Sequence, residues 1–254
     1  MLVSVLASGS KGNSTLIRTK KINFLIDAGT NAKYLNEKLN EDDLSLKDID
    51  YILISHVHSD HTSAIKGIIK AYNPTIILSE IMYNELDYLH KYSNIMFLDD
   101  KMDLDGVLVE NIKTSHDTTD SRGFIITEDD KSIVQITDTG YLNQKYFGKL
   151  KNKDMYILES NHNVEMLANG RYPKWLKMRV ASDVGHLSNE SASFYLTKLI
   201  GPNTKKVILA HLSEENNTPE IALGTLKKEL SENNIEFTNY EVAMQNEKTE
   251  DAII

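Results

Sequence analysis

The chain has 254 residues, 41% of them hydrophobic and 26% charged, with a formal net charge of −9. The acidic balance argues against a large non-specific nucleic-acid footprint, which needs a basic face, but permits local contacts. Cysteine is absent, which excludes disulfides and thiolate metal sites; any transition metal must be held by imidazole, carboxylate or backbone oxygen.

The opening MLVSVLASGSKGNST reads as a strand over residues 2–6 followed by a Gly/Ser turn. It lacks the basic start and long apolar stretch of a secretory signal. No apolar run approaches the roughly 20 residues of a membrane span. The expectation is a cytoplasmic protein with no membrane partner. A second apolar run predicts a strand over 22–26, and residues 32–39 have helical spacing. Then come a strand over 51–54, a helix over 63–72, a strand over 75–78 and a helix over 80–91. Four short β-branched runs follow, at 107–112, 123–127, 132–136 and 155–158. Ser188 caps a helix over 188–200, residues 206–210 form a strand, and Pro219 opens a helix over 219–231. The polar stretch 233–254 is expected to hold one edge strand before a frayed tail. There is no internal repeat. Two sheets with outer helices, in a single domain spanning 1–254, is the simplest arrangement.

The densest chemical signal is His56-Val57-His58-Ser59-Asp60-His61, which carries three of the chain's eight histidines. In an extended segment, side chains at i and i+2 point the same way, so His56 and His58 can grip one metal from a strand end. Asp60 and His61 follow where the chain turns into a helix, and can face a second metal about 3.5–4 Å from the first. Zinc and manganese both accept this mixture of imidazole and carboxylate.

HVHSDH resembles the HxHxDH motif of the metallo-β-lactamase superfamily, including the apolar strand before it and the small Ser63 after it. Three further stretches match in order: TSHDTTDSRGF with His116, QITDTGY with Asp138, and VILAHLSEENNTP with His211. Singly, a His or Asp after a strand is more often structural; their order and number strengthen the match. The resemblance implies an α/β fold of the αββα four-layer type, with two divalent metal ions in a cleft at one edge of two sheets. One ion would be held by His56, His58 and His116. The other would be held by Asp60, His61 and His211, with Asp138 between them.

SVLASGSKGNST, LESNHN, SDVGHLSNESA and HLSEENNTPEIA are similar to segments of the YycJ (WalJ) subfamily, and together span residues 4–222. Asn163 stands where that subfamily usually has Asp, which leaves the role of this position open. The subfamily resemblance implies a 5′-to-3′ DNA exonuclease with a hydroxide held between the metals as nucleophile, and roles in DNA repair and cell-wall control. An ester, thioester or cyclic-phosphodiester hydrolase in the same cleft is the alternative enzyme. A metal-bearing regulatory protein is the non-enzymatic one, disfavoured by the full ligand set.

His186, just before a helix start, is left over once metal ligands are assigned. It is the candidate proton donor to the leaving oxygen, with Glu159 at a strand end to orient it, as paired His and Glu do in the related tRNA-processing branch; a structural cap is the competing reading. In GSKGN, Ser10, Gly12 and Asn13 could offer backbone N–H groups to phosphate, or form a simple turn. In RYPKWLKMR, Arg171, Lys174, Lys177 and Arg179 surround Trp175 without an acid. This is the candidate for nucleic-acid backbone contact and base stacking. A solvated helix face with Trp175 packed inward is the alternative.

Overall fold

A computed structural model describes residues 1–254 and sorts the strands into two seven-stranded sheets. The strands of the N-terminal half are β1 (Leu2–Ala7), β2 (Ser14–Arg18), β3 (Asn23–Ile26), β4 (Tyr51–Leu53), β5 (Thr75–Leu78) and β6 (Ile95–Phe97). Next come β7 (Lys101–Leu104), β8 (Val107–Lys113), β9 (Arg122–Glu128), β10 (Lys131–Ile136), β11 (Met155–Glu159), β12 (Lys206–Ala210) and β13 (Tyr240–Val242), and finally β14 (Ala252–Ile253). The first sheet runs β14-β1-β2-β3-β4-β5-β6 and the second β13-β12-β11-β10-β9-β8-β7. β3 to β6 are mutually parallel, as are β10 to β13.

Burial on both faces explains why the strands read as apolar runs rather than as alternating patterns. Successive side chains go to opposite faces. On β2, Ile17 joins the layer between the sheets while Leu16 packs outward. On β11, Met155 and Ile157 face the other sheet, and Tyr156 and Leu158 face outer helices. The central layer also holds Phe24, Phe124, Ile126 and Ile208. Outside the first sheet, Leu35, Leu39, Ile65, Ile68 and Met82 come from helices Ala32–Asn40, Ile65–Ala71 and Glu80–Glu85. Outside the second, helices Asn189–Leu199 and Pro219–Glu232 contribute Leu196, Leu199, Leu226 and Leu230. The layers are therefore helix, sheet, sheet, helix. No helix is long and apolar enough to cross a membrane.

Several expected elements differ. The helix expected at 80–91 ends at Glu85: Leu86 leaves the helical region at φ −107°, ψ 68°, and a separate 3₁₀ turn follows at Asp87–Leu89. The helix expected at 63–72 begins at Ile65 and is preceded by a short turn, Ser59–Thr62, that carries Asp60 and His61. The tail is not frayed. β14 pairs antiparallel with β1, placing Leu2 opposite Ile253, and Lys248 Nζ reaches Asp42 Oδ1 at 2.8 Å with both side chains buried.

Candidate metal centre

Strands β3, β4, β10, β11 and β12 all end at one edge of the sandwich, where parallel strands present their carboxyl ends. Asp27 follows β3, His56 follows β4, Asp138 follows β10, Glu159 ends β11 and His211 follows β12. Asp27, Asp138 and His211 turn off their strands in the left-handed region, with φ of 61°, 56° and 56°. Left-handed backbone at non-glycine residues is costly and clusters at functional sites. His211 is held in it from both sides: its N–H donates to Ser8 Oγ at 2.7 Å, and its carbonyl accepts from Asn161 Nδ2 at 2.9 Å.

The imidazoles share one arrangement. The Nδ1 of His61 faces Asp27 Oδ2 at 2.7 Å, that of His116 faces the Gly185 carbonyl at 3.2 Å, and that of His211 faces Glu159 Oε1 at 3.0 Å. The Nδ1 of His56 faces Ser55 Oγ at 3.1 Å. These partners assign the proton to Nδ1 and leave Nε2 bare, the form that ligates a metal. His56 Nε2 and Asp138 Oδ2 are buried with no hydrogen-bond partner. Asp138 Oδ2 does lie 3.1 Å from His61 Nε2. With Nδ1–H held by Asp27, a cation between Nε2 and Oδ2 would take the place of the second proton that the surrounding carboxylates favour on His61.

The donors fall into three overlapping groups: His56, His58 and His116; His56, His61 and Asp138; and Asp138, Glu159, His186 and His211. Asp60 Oδ2 joins them, 3.5 Å from His61 Nε2 and 3.8 Å from His211 Nε2. Asp138 lies among them, with Oδ1 3.2 Å from His211 Nδ1 and 3.6 Å from His116 Nε2, and Oδ2 3.1 Å from His61 Nε2. This donor set, buried imidazole and carboxylate, fits divalent metal ions.

Electrostatics agree with a site built for positive charge. Burial pushes His56 well below the ordinary imidazole value, helped by neighbouring His61. Burial also opposes charge on His61 and His211, yet carboxylates outweigh it. Asp27 and Asp138 raise His61 well above its ordinary value, and Asp138 with Glu159 lifts His211 to about 9. Burial disfavours the Asp138 and Glu159 carboxylates, but the surrounding histidines hold both in the charged form.

Glu159 is fully buried and holds four donors. Oε1 accepts from His186 Nδ1 at 2.7 Å and from His211 Nδ1, while Oε2 accepts from the N–H of Thr139 and of Leu187. His186 therefore presents Nε2, and its side chain is 14% exposed at the cleft. Gly185 sits so tightly that a Cβ would lie 2.2 Å from the Arg179 carbonyl. That contact fixes the turn carrying His186 against helix Lys174–Val180.

The other sequence candidates are placed differently. In the GSKGN turn the N–H groups of Gly9, Lys11, Gly12 and Asn13 all donate within the protein, so the turn offers no phosphate cradle beyond Ser10. Asn13 instead braces the site: its Nδ2 lies 3.3 Å from Asp60 Oδ2 and 3.0 Å from His61 Nε2. Trp175 does not pack inward; it is 67% exposed, beside Met178 at 65%. Lys177 Nζ donates to the Ala168 carbonyl, and Arg179 Nε donates to Asp117 Oδ2 at 2.5 Å, so neither is wholly free for phosphate. Asn163 caps helix Val164–Asn169 by accepting from the Met166 N–H, a role an Asp would also fill. His162 is buried with Nδ1 unpartnered, and burial pushes it down to about 4.

Two residues were missed in the sequence. Asp27 accepts from Ser55 N and Ser55 Oγ, both at 2.7 Å, as well as from His61. Ser55 links Asp27 to His56. The signal was present: LIDAG at 25–29 has the same apolar-strand, Asp, Gly order as QITDTG. Asp27→Asn suits the left-handed backbone but removes the charge behind His61. It should lower metal affinity about 10–100-fold with the fold intact. Chelator competition measures this, and unchanged affinity would make Asp27 purely structural.

A sequence profile of the Metallo-beta-lactamase superfamily matches residues 7–211. The chain belongs to the metallo-β-lactamase superfamily. Within this superfamily it is 36% identical to Exodeoxyribonuclease WalJ of Streptococcus pneumoniae over 90% of this chain and 88% of that protein. To Exodeoxyribonuclease YycJ of Bacillus anthracis it is 34% identical, over 90% and 89% of the two chains. The metallo-β-lactamase fold protein YhfI of Bacillus subtilis superposes with a TM-score of 0.76 at 16% identity, covering 99% of each chain. A polar clasp lies beside this site. Asn189 and Asn217 exchange amide hydrogen bonds, while Ser160 Oγ donates to Asn189 and the Ser160 carbonyl accepts from Asn217. The clasp ties together the loops that carry Glu159, His186 and His211.

Proposed function

We propose that this protein is a metal-dependent phosphodiesterase that removes nucleotides from DNA ends in the 5′-to-3′ direction, in the cytoplasm. The observation that carries the reading is the set of overlapping donor groups around Asp138, with bare Nε2 atoms turned to one cleft. The likeness to WalJ and YycJ, both named exodeoxyribonucleases, supports DNA as substrate.

In this reading His56, His58 and His116 hold one ion, Asp60, His61 and His211 hold the other, and Asp138 serves both. Divalent ions, zinc or manganese, when bound there supply Lewis-acid activation of water and neutralise charge on the phosphate oxygens. The chain's own residues do the rest. Asp27, Glu159, Ser55 and the Gly185 carbonyl hold the Nδ1 side of His61, His211, His56 and His116 and so favour the ligating tautomer. His186, oriented by Glu159, donates a proton from Nε2 to the oxygen that leaves phosphorus as the P–O bond breaks. Trp175 and Met178, on a helix tied to the cleft rim through Arg179 and Asp117, offer a face for unstacked bases.

The test is elemental analysis of the purified protein alongside digestion of end-labelled DNA and RNA. About two ions per chain and nucleotide release from DNA 5′ ends are expected. Turnover of small esters or cyclic diesters with none on either nucleic acid would move the function to a small-molecule hydrolase.

A further inference from the structure

Behind the loop wall that carries His116 and Asp138 lies a second feature. Lys113, Ser115, Tyr141, Asn143, Lys145 and Tyr146 line a cavity of about 190 Å³. That is smaller than the roughly 300 Å³ at which drug-sized pockets begin, so it suits a phosphate group rather than a whole nucleoside. No carboxylate lines it. In an acidic chain this is notable, because the nearby Lys101 and Lys149 are both paired with Glu110. Lys145 Nζ instead sits 4.8 Å from the Tyr146 ring centroid, which holds the ammonium in place without neutralising it. Tyr146 OH already accepts from the Lys113 N–H, so its own proton is available to a ligand.

The wall is stitched to the metal centre. Ser115 N–H donates to Thr139 Oγ1, Gly140 N–H donates to the Ser115 carbonyl, and Thr139 N–H donates to Glu159 Oε2. Ser115 is adjacent to His116 in the chain, and Tyr141 is three residues from Asp138, a span of at most about 11 Å. Tyr141 is 40% exposed, so its ring is open to a base. Gly140 packs against the Ser182 and Asp183 carbonyls, which places this cavity next to the turn after helix Lys174–Val180.

We propose that Lys113, Lys145 and Tyr141 form a phosphate subsite for the nucleic-acid strand beyond the reacting centre. This rests on the phosphodiesterase reading above. Two ammonium groups bind the backbone phosphate, and Tyr141 stacks on the attached base. The site therefore favours strands long enough to cross the wall.

The experiment compares the metal-loaded wild type with the double variant Lys113→Gln/Lys145→Gln. Both lysines are exposed, so folding is not at risk. A second double variant, Lys33→Gln/Lys228→Gln, removes the same charge from exposed helices elsewhere. On a long single-stranded oligonucleotide, kcat/KM of the first variant should fall about tenfold. Its salt dependence should lose about 0.7 in log–log slope for each phosphate released. Turnover of a dinucleotide and of a nitrophenyl diester should be unchanged, as should all activities of the control. Equal kcat/KM and slope in wild type and variant, or an equal loss in the control, overturns the subsite while leaving the nuclease reading intact. A wild type that cleaves the nitrophenyl diester but no oligonucleotide overturns both.

Discussion

Asp138→Ala is expected to abolish turnover and to empty one or both metal positions. The argument is geometric. Asp138 Oδ1 faces His211 Nδ1 at 3.2 Å and His116 Nε2 at 3.6 Å, and Oδ2 faces His61 Nε2 at 3.1 Å, so its carboxylate lies between the imidazoles proposed for the two ions. It is 2% exposed and sits on left-handed backbone, which alanine adopts only at a cost. Alanine also leaves a cluster of imidazoles with less counter-charge, so any ion that still binds does so more weakly. Activity should drop by more than about 10³-fold, in line with loss of Lewis-acid stabilisation of the transition state. His58→Ala is the informative companion. His58 belongs to one donor group only, so this variant should lose one ion and retain the other. Metal content by elemental analysis and turnover of end-labelled DNA check both variants. Full occupancy with normal turnover in the two would refute the ligand assignment.

His186→Ala is the second large effect, and it separates proton transfer from metal binding. His186 Nδ1 is committed to Glu159 Oε1 at 2.7 Å, leaving Nε2 toward the cleft. Nδ1 also lies 3.7 Å from Oδ1 of Asp138, one of the proposed metal ligands. Its loss should leave metal content unchanged and cut turnover of DNA by roughly 10²–10⁴-fold. A nitrophenyl diester, whose leaving group needs no proton, should lose far less. Metal loss in the variant, or equal losses on the two substrates, would make His186 a ligand or a structural residue instead. Because Glu159 also holds His211, Glu159→Gln is expected to combine both defects: lower metal affinity together with the leaving-group dependence.

How much of this was legible in the sequence depends on distance along the chain. The six residues from His56 to His61 could be read directly, because i, i+2 geometry on a strand end is local. The apolar runs were equally legible, since both faces of the central strands are buried and each residue therefore carries the signal. Strands β2 and β7 gave no such signal. β2 sits against a Gly/Ser turn, and β7, LysMetAspLeu, is mostly exposed. The helix break at Leu86 escaped too, because apolar spacing continues across it while the backbone does not.

The site divides along the same line. Sequence alone determined which residue types cluster at strand ends, and so the metal chemistry that imidazole and carboxylate without thiolate permit. Which atoms face each other was decided only by the tertiary structure. Asp27 and His61 are 34 positions apart, and Glu159 and His211 are 52 apart. They meet because parallel strands bring their carboxyl ends to one edge, and this register is set by packing between the two sheets. The same holds for the exposed basic helix. Its charges and Trp175 were visible in the sequence, but only the fold committed Arg179 to Asp117 and Lys177 to a helix end. Lys113 and Lys145, neither of them paired with a carboxylate, were brought together at one cavity by a loop. Pairing across a fold depends on which surfaces are buried together, and no local pattern encodes that.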